Sequence, residues 1–490
     1  MKGIGIVDTS YGRVSGETVN GITVFRSIPY AAPPVGELRW HAPKDHEPWD
    51  GVRECTKFGS LAWQLPGFMG TNALEIYDKS EDCLLLNIWT PAQHPDEKLP
   101  VLFWIHGGGF AGGVGHESVF DGTALASKGV IVVSLNYRLG IFGFLAHPDL
   151  RAEADGNGNF GLLDIIFALK WIKKNIAAFG GDPARITVDG QSAGGMAVSY
   201  LLASPLTHGL LSGAIIQSGG PLRRKEQTLE EKEQLGLDIA GQLQCSSIAE
   251  LRKIEPEILL NCAGGGMRFA PCVDGQILPL NAYTAFSQGK IAQVPIMIGS
   301  NANEGLSSLI LDFYRADRTE YLDKLKEFCG DRYPQLQELY DVEAENISAV
   351  IGGDLDFLNL RLLLSKMYQN HGADLYHYYF SKPLLLKDGT NLGAGHSEEI
   401  CYVFNTLPVE ENIFGNMGKE VNRQTSDYFL AENMEWYWTD FVKNGNPNRP
   451  GLAKWCPFRG DGSCMHFEGS AGHPEQELHE KQMEFWMQWI

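Results

Sequence analysis

The sequence predicts an α/β fold, a mostly parallel central sheet with helices on both faces. Strand-like apolar runs alternate with helical ones along most of the chain. Those strand-like runs are short, rich in β-branched residues and closed by glycine, as buried strands are. No 20–50-residue repeat and no low-complexity segment competes with that reading.

In order, "LPVLFWI" at 99–105 reads as a buried strand running into the glycine loop "HGGGF". "GVIVVSLNYR" at 129–138 is a second strand. In "LLDIIFALKWIKKNIAAFG", Leu163, Ile166, Leu169, Ile172 and Ile176 recur at helical spacing, and Gly180 and Gly181 stop the helix. "ARITVDG" is a strand ending near Val188, and "SAGGMAVSYLLAS" a helix beginning at the serine itself. "GAIIQSG" and "VPIMIGSN" are further strands. The stretches 229–260 and 312–346 are charged and helical in texture, and read as lid-like insertions on one domain spanning 1–490. "YAAPPVGELRW" and "KNGNPNRPG" are flanked by aromatics and read as ordered turns, not linkers.

Composition narrows the functional classes. With 44% hydrophobic and 20% charged residues, 490 residues supply a sizeable core. The net charge of −20, from 60 acidic and 40 basic side chains, repels phosphate backbones and anionic lipid. Nucleic acid and membrane are therefore not expected partners. Nine cysteines without CxxC spacing argue against a disulfide framework and a structural zinc site. After "MK" no unbroken apolar h-region follows, so the expectation is a cytosolic protein with reduced thiols, needing no cofactor or metal.

The chemistry concentrates in "VDGQSAGG", Val188 to Gly195. A serine between a strand and a helix sits on a sharp turn, and Gly190 and Gly194 remove side chains that would collide there. Its hydroxyl then stands at a helix N-terminus, where N–H groups favour negative charge. G-x-S-x-G alone is often a chance turn; the strand before and helix after make it a nucleophile candidate. "HGGGF", His106 to Phe110, follows another buried strand, and a glycine run there is costly without a use. Gly108 and Gly109, with the N–H of Ala193, are expected to form a three-donor oxyanion hole.

A serine nucleophile needs a base and an orienting acid, which in this type of α/β fold follow it in the order acid, then histidine. Of the histidines after Val294, His377 lies in the strand-like "LYHYYF" and reads as core. His466, His473 and His479 occupy a polar stretch that reads as surface, and His371 has no such setting. His396, in the glycine-rich "LGAGHSEEI", is the expected base. Glu304 in "MIGSNANEG", just past a strand, is the expected acid. Asp274 in "PCVDGQILP" is the runner-up, in an Asp-Gly context that more often marks a turn. Phe110, Phe357 and Trp63 could line a pocket but read first as core.

Taken together, "YGRVSG", "IPYAAPPVGELRW", "SEDCLLLNIWTP", "WIHGGGF", "NYRLGIFGFL", "GNFGLLD", "NIAAFGGDPARITVDGQSAGG", "IIQSGG", "GSNANEG", "GAGHSEEI" and "KNGNPN" resemble, in order, the type-B carboxylesterase and cholinesterase family of α/β-hydrolases. The resemblance is strongest to the bacterial para-nitrobenzyl-esterase type. It implies an α/β-hydrolase fold, a Ser192–Glu304–His396 triad and an oxyanion hole of Gly108, Gly109 and Ala193. It also implies two structural ion pairs, Arg39 with Glu81 and Arg138 with Asp164. The chain departs from the family in two places. Gln191 stands where members usually carry Glu, and Cys83 lacks the cysteine about twenty residues upstream with which it pairs in secreted relatives.

The function expected is a serine carboxylesterase acting on a small-molecule ester. A catalytically silent binding or adhesion member, or a related amidase, thioesterase or lipase, is the alternative. The acyl and alcohol groups, the physiological substrate and the oligomeric state are not written in the sequence.

Overall fold

A computed structural model describes residues 3–65, 77–153, 156–222, 226–265, 268–304, 317–407 and 420–489. In chain order its strands are β1 (Val7–Asp8), β2 (Arg13–Ser15), β3 (Glu17–Val19), β4 (Ile22–Pro29), β5 (Val52–Glu54), β6 (Leu85–Thr90) and β7 (Leu99–Ile105). They continue with β8 (Ile131–Leu135), β9 (Gly181–Gln191), β10 (Gly213–Gln217), β11 (Ile296–Asn301), β12 (Leu375–Phe380), β13 (Cys464–Glu468) and β14 (Ala471–Glu475). One large sheet has the order β14-β13-β12-β11-β10-β9-β7-β8-β6-β4-β3, and β1, β2 and β5 form a small separate sheet. From β8 through β13 the neighbours are parallel, while both ends of the large sheet are finished by antiparallel strands.

The unbroken apolar runs follow from burial on both faces. Along β7, Val101, Phe103 and Ile105 join one core cluster while Leu102 and Trp104 join the other, the period-two alternation of a strand. The first face is covered by α1 (Phe160–Asn175) and α2 (Ala193–Ala203), through residues such as Ile165, Leu169, Val198 and Leu201. The second is covered by α4 (Thr425–Asn444), through Leu430, Met434, Trp438 and Phe441. Each such fully buried side chain contributes roughly 1.5–3 kcal/mol of hydrophobic transfer. The long helix α3 (Ile347–Asn370) carries Ile351, Leu355 and Phe357 into a third cluster with Trp486.

Boundaries differ from the sequence reading in three places. β9 runs on to Gln191, beyond Val188, because Gly190 and Gln191 stay in register with Ile216 and Gln217 of β10. The helix after it starts at Ala193, with Ser192 at the capping position. The polar C-terminal stretch is not merely surface, since β13 buries Cys464 to Phe467 and pairs with both β12 and β14. The insertion at 229–260 forms helices Leu229–Gln242, Ile248–Leu251 and one beginning at Pro256. Of the stretch 312–346, the residues from 317 onward form helices Arg318–Cys329 and Tyr333–Leu339, and 312–316 lie outside the described residues.

Both implied ion pairs are present as bidentate contacts. Arg39 donates to Glu81 at 2.7 and 2.5 Å and to the carbonyls of Arg252 and Ile254, which ties the insertion to the N-terminal region. Arg138 donates to the buried Asp164 at 2.8 and 2.6 Å and to the carbonyl of His41. All nine cysteines are free thiols. Among the described residues no helix is long and apolar enough to cross a membrane.

Candidate active site

Ser192 has φ 57° and ψ −124°, a conformation that a side-chain-bearing residue rarely adopts. The turn is held by Ser192 N–H donating to Gln217 O at 2.9 Å and by the first bond of α2, Met196 N–H to Ser192 O at 2.9 Å. The flanking glycines are sterically required. A Cβ on Gly194 would lie 2.0 Å from Ile105 O, and one on Gly190 would lie 2.5 Å from the carbonyl of Gly194. The β7 and β9 ends and the start of α2 therefore meet backbone to backbone, leaving the serine at the C-terminal end of the parallel strands.

The glycine loop after β7 is wedged against the same turn. A Cβ on Gly107 would come within 2.8 Å of Gln191 O and 3.0 Å of Ser192 Cβ. Gly108 and Gly109 have φ 106° and 60°, and a Cβ on Gly108 would strike Gly112 O at 2.0 Å. Gln64 pins the far side of the loop by bonding both the N–H and the carbonyl of Gly113. His106 beneath it is buried, stacked on Tyr137 at 4.6 Å, and burial pushes its pKa down to about 4. Among the described residues the N–H groups of Gly108 and Gly109 meet no acceptor within the protein. They are donors left over for a ligand.

His396 is brought to this point by a backbone zipper. Asn303 N–H donates to Ala394 O at 2.9 Å, Ala394 N–H returns to Asn303 Oδ1 at 2.8 Å, and Asn301 Nδ2 holds Gly395 O at 2.8 Å. The loop after β11 and the histidine loop are thus fixed to each other. His396 Nδ1 hydrogen-bonds Glu304 Oε2, and the other carboxylate oxygen of Glu304 accepts from Asn301 N–H at 2.8 Å. Burial disfavours the charged imidazole, but the charge and hydrogen bond of Glu304 outweigh it, so the pKa of His396 lies above the ordinary 6.5. With Nδ1–H committed to Glu304, Nε2 carries the lone pair. It is faced by Gln191 Nε2 at 3.2 Å, on the residue next to Ser192. Among the described residues the Ser192 hydroxyl makes no hydrogen bond to His396, as is common before a substrate closes the geometry.

The structure thus bonds His396 to Glu304, sets its Nε2 against the residue beside Ser192, and packs the glycine loop on the Ser192 turn. Asp274 does not join them. Its Oδ1 caps a turn by accepting from the N–H groups of Gln276, Ile277 and Leu278, and its Oδ2 accepts from Asn159. His377 is core, stacked on Phe357 at 4.9 Å, and Phe110 and Phe357 are core as well. Trp63 is half-buried, with Lys79 over its ring.

Sequence reading missed the buried acids behind the site. Glu399 accepts from Asn301 Nδ2 at 2.6 Å, and burial, then the charge of Glu304, pushes its pKa up to about 7. Asp189, bonded by Gln217, is pushed up to about 8 by burial. "GHSEEI" shows an acid three residues after the histidine, but nothing in the string says that its side chain turns inward.

The sequence profile described as the Carboxylesterase family matches residues 4–486. The chain is 37% identical over 490 residues to a fumonisin B1 esterase of Sphingopyxis macrogoltabida, covering 95% of this chain and 87% of that protein. It is 35% identical to a para-nitrobenzyl esterase of Bacillus subtilis, covering 90% of each. A solved PNB esterase structure superposes with a TM-score of 0.80 at 30% identity over 98% of this chain and 99% of that one. A Geobacillus stearothermophilus carboxylesterase superposes with a TM-score of 0.79 at 33% identity, with the same coverage.

Proposed function

Because the chain belongs to the carboxylesterase family, with the α/β-hydrolase fold, and is a carboxylic ester hydrolase, we propose that Ser192 is its nucleophile, His396 its general acid and base, and Glu304 the orienting carboxylate. Ser192 Oγ attacks the ester carbonyl while its proton passes to His396 Nε2. The N–H groups of Gly108, Gly109 and Ala193 receive the oxyanion. His396 returns the proton to the departing alcohol, and water, deprotonated by the same nitrogen, releases the acid from the acyl-enzyme. Glu304 fixes the tautomer that leaves Nε2 free and stabilises the imidazolium.

The Gln191 contact to Nε2 serves only the neutral ring. Once Nε2 is protonated it needs an acceptor, so the amide must turn its oxygen inward or be replaced by the serine and the leaving group. Beside α2, Met196, Tyr200, Pro221 and Leu222 line a mostly apolar hollow that Ser199 and the Glu226 carboxylate also reach, and Met196 stands one turn from Ser192. Phospholipid and nucleic acid are not expected substrates at a net charge of −20. The free thiols favour a reducing, cytoplasmic setting. The insertions at 229–260 and, within the described residues, 317–346 are read as lids on a single domain.

The observation that carries this reading is the strained Ser192 set between unspent loop N–H groups and the Gln191–His396–Glu304 chain. A fluorophosphonate probe followed by peptide mapping tests it. One adduct on Ser192, abolished by Ser192→Ala together with ester hydrolysis, is the expected result. Labelling elsewhere, or full hydrolysis by Ser192→Ala, would refute it.

A further inference from the structure

The hairpin of β13 and β14 gathers three residues the esterase chemistry does not use. His466 and His473 are directly opposed across the antiparallel pair, where Cβ atoms sit about 4.5–5.5 Å apart. Their rings lie with centroids 5.0 Å apart. Glu468, two residues from His466 and so on the same face of β13, points its carboxylate at both. Its Oε1 is 3.5 Å from His473 Nε2 and its Oε2 3.9 Å from His466 Nε2. One ligating atom from each of the three lies within 4.8 Å of the other two.

We propose that this hairpin binds one divalent late first-row transition ion of the Zn²⁺ class, through His466, Glu468 and His473. Two imidazoles and one carboxylate are the donor set that Zn²⁺, Co²⁺, Ni²⁺ and Cu²⁺ favour over Ca²⁺ or Mg²⁺. A tetrahedral ion with bonds of about 2.0–2.1 Å holds its ligands roughly 3.4 Å apart. The three ligating atoms, already within 4.8 Å of one another, thus need to close by no more than about 1.4 Å, which rotation of the half-exposed Glu468 and His473 side chains supplies. The fourth position falls to water or to Glu475, whose Oε1 is 3.2 Å from His473 Nε2.

The surroundings fit a held ion better than a chance pairing of surface charges. The His466 side chain is only 10% exposed and anchored in the sheet, while those of His473 and Glu468 are 39% and 51% exposed and leave an entry path. The Nε2 of His466 is 2.6 Å from Ser381 Oγ, and this weak neutral partner is the one an ion would displace. Among the described residues β14 pairs only with β13 at the edge of the sheet, so the ion would cross-link the last two strands. β13 lies four strand positions from β9, roughly 19 Å at the usual strand spacing. The proposal is therefore independent of the ester site.

The test uses the full-length chain, stripped with a chelator, titrated with ZnCl₂ by calorimetry and with CoCl₂ by absorption. One equivalent should bind saturably, raise the Tm and give a Co²⁺ spectrum without a thiolate charge-transfer band. His473→Ala and Glu468→Gln, both at half-exposed positions, should weaken binding by roughly 10-fold to 100-fold or more and leave metal-free esterase activity unchanged. His396→Gln should bind as the parent does. Absence of saturable binding, parental affinity in His473→Ala, or loss of binding on replacing the exposed thiol, Cys456→Ser, or in His396→Gln would each overturn the assignment.

Discussion

Replacing Glu304 by glutamine isolates what its charge does for His396. The side chain keeps its size and can still bond Asn301 N–H, but the carboxylate opposite Nδ1 is gone. Two unit charges about 4 Å apart, at an effective dielectric of about 20, attract by about 4 kcal/mol. That attraction exists only once the ring is protonated, so it is lost from the transition state and not from substrate binding. It corresponds to about three decades of rate. An amide can also donate to Nδ1 and so select the wrong tautomer, and comparable triad variants lose about 10⁴. The expectation is a fall in kcat/KM of about 10³-fold to 10⁴-fold on a chromogenic ester, with KM nearly unchanged. The pH profile gives a second readout. In the parent, Glu304 raises the pKa of His396, so activity rises with pH through a midpoint above the ordinary histidine value of roughly 6.5. Without the Glu304 carboxylate, burial is opposed only by the more distant charges of Glu399 and Asp356, and that limb moves to lower pH. The stability sign is opposite. The raised pKa stabilises the parent fold below about pH 6.5 and is lost as pH climbs through the folded value, so the variant should lose more Tm at about pH 5 than at about pH 9. A loss under about tenfold, or an unmoved acid limb, would refute the role given to Glu304.

Gly108→Ala puts a Cβ 2.0 Å from Gly112 O at φ 106°, so the loop must shift and its donors with it. Active-site titration should show a kcat lower by roughly 10²-fold to 10³-fold in a folded protein. Gln191→Glu places a carboxylate beside His396 Nε2. It should keep hydrolysis and raise kcat/KM for cationic over neutral esters, and an unchanged ratio would count against the charge argument. Arg138→Met leaves Asp164 buried without its partner, which costs about 3–5 kcal/mol. Denaturant unfolding should show it, and a loss below about 1 kcal/mol would mean that the pair is not structural.

The fold was legible because parallel strands covered on both faces read as unbroken apolar runs. β7, β8, β10 and β11 stand out on that signal alone. Where the signal is mixed, the reading fails. The segment "CMHFEGSAGHPE" has the composition of surface and is a buried-edge hairpin, because His466 is covered by Ser381 and Tyr379 from a strand about eighty residues away. Asp274 and Glu304 were separable by context, one before a turn glycine and the other past a strand end. The extra strand residues Asp189 to Gln191 were not, since pairing with β10 extends β9 regardless of local propensity.

The string itself determined the local backbone on which the proposed chemistry rests. Glycines must flank Ser192 because the backbone doubles back on Ile105 and on itself, and a glycine run must follow β7 for its N–H groups to face a ligand. The tertiary structure alone decided how those groups are tuned. Gln191 meets the lone pair of His396, Asn301 locks the acid loop to the histidine loop, and Glu399 is pushed toward neutrality behind them. Each of these depends on distance and burial between segments some one to two hundred residues apart. Those are quantities that the order of residues does not carry until the chain has closed.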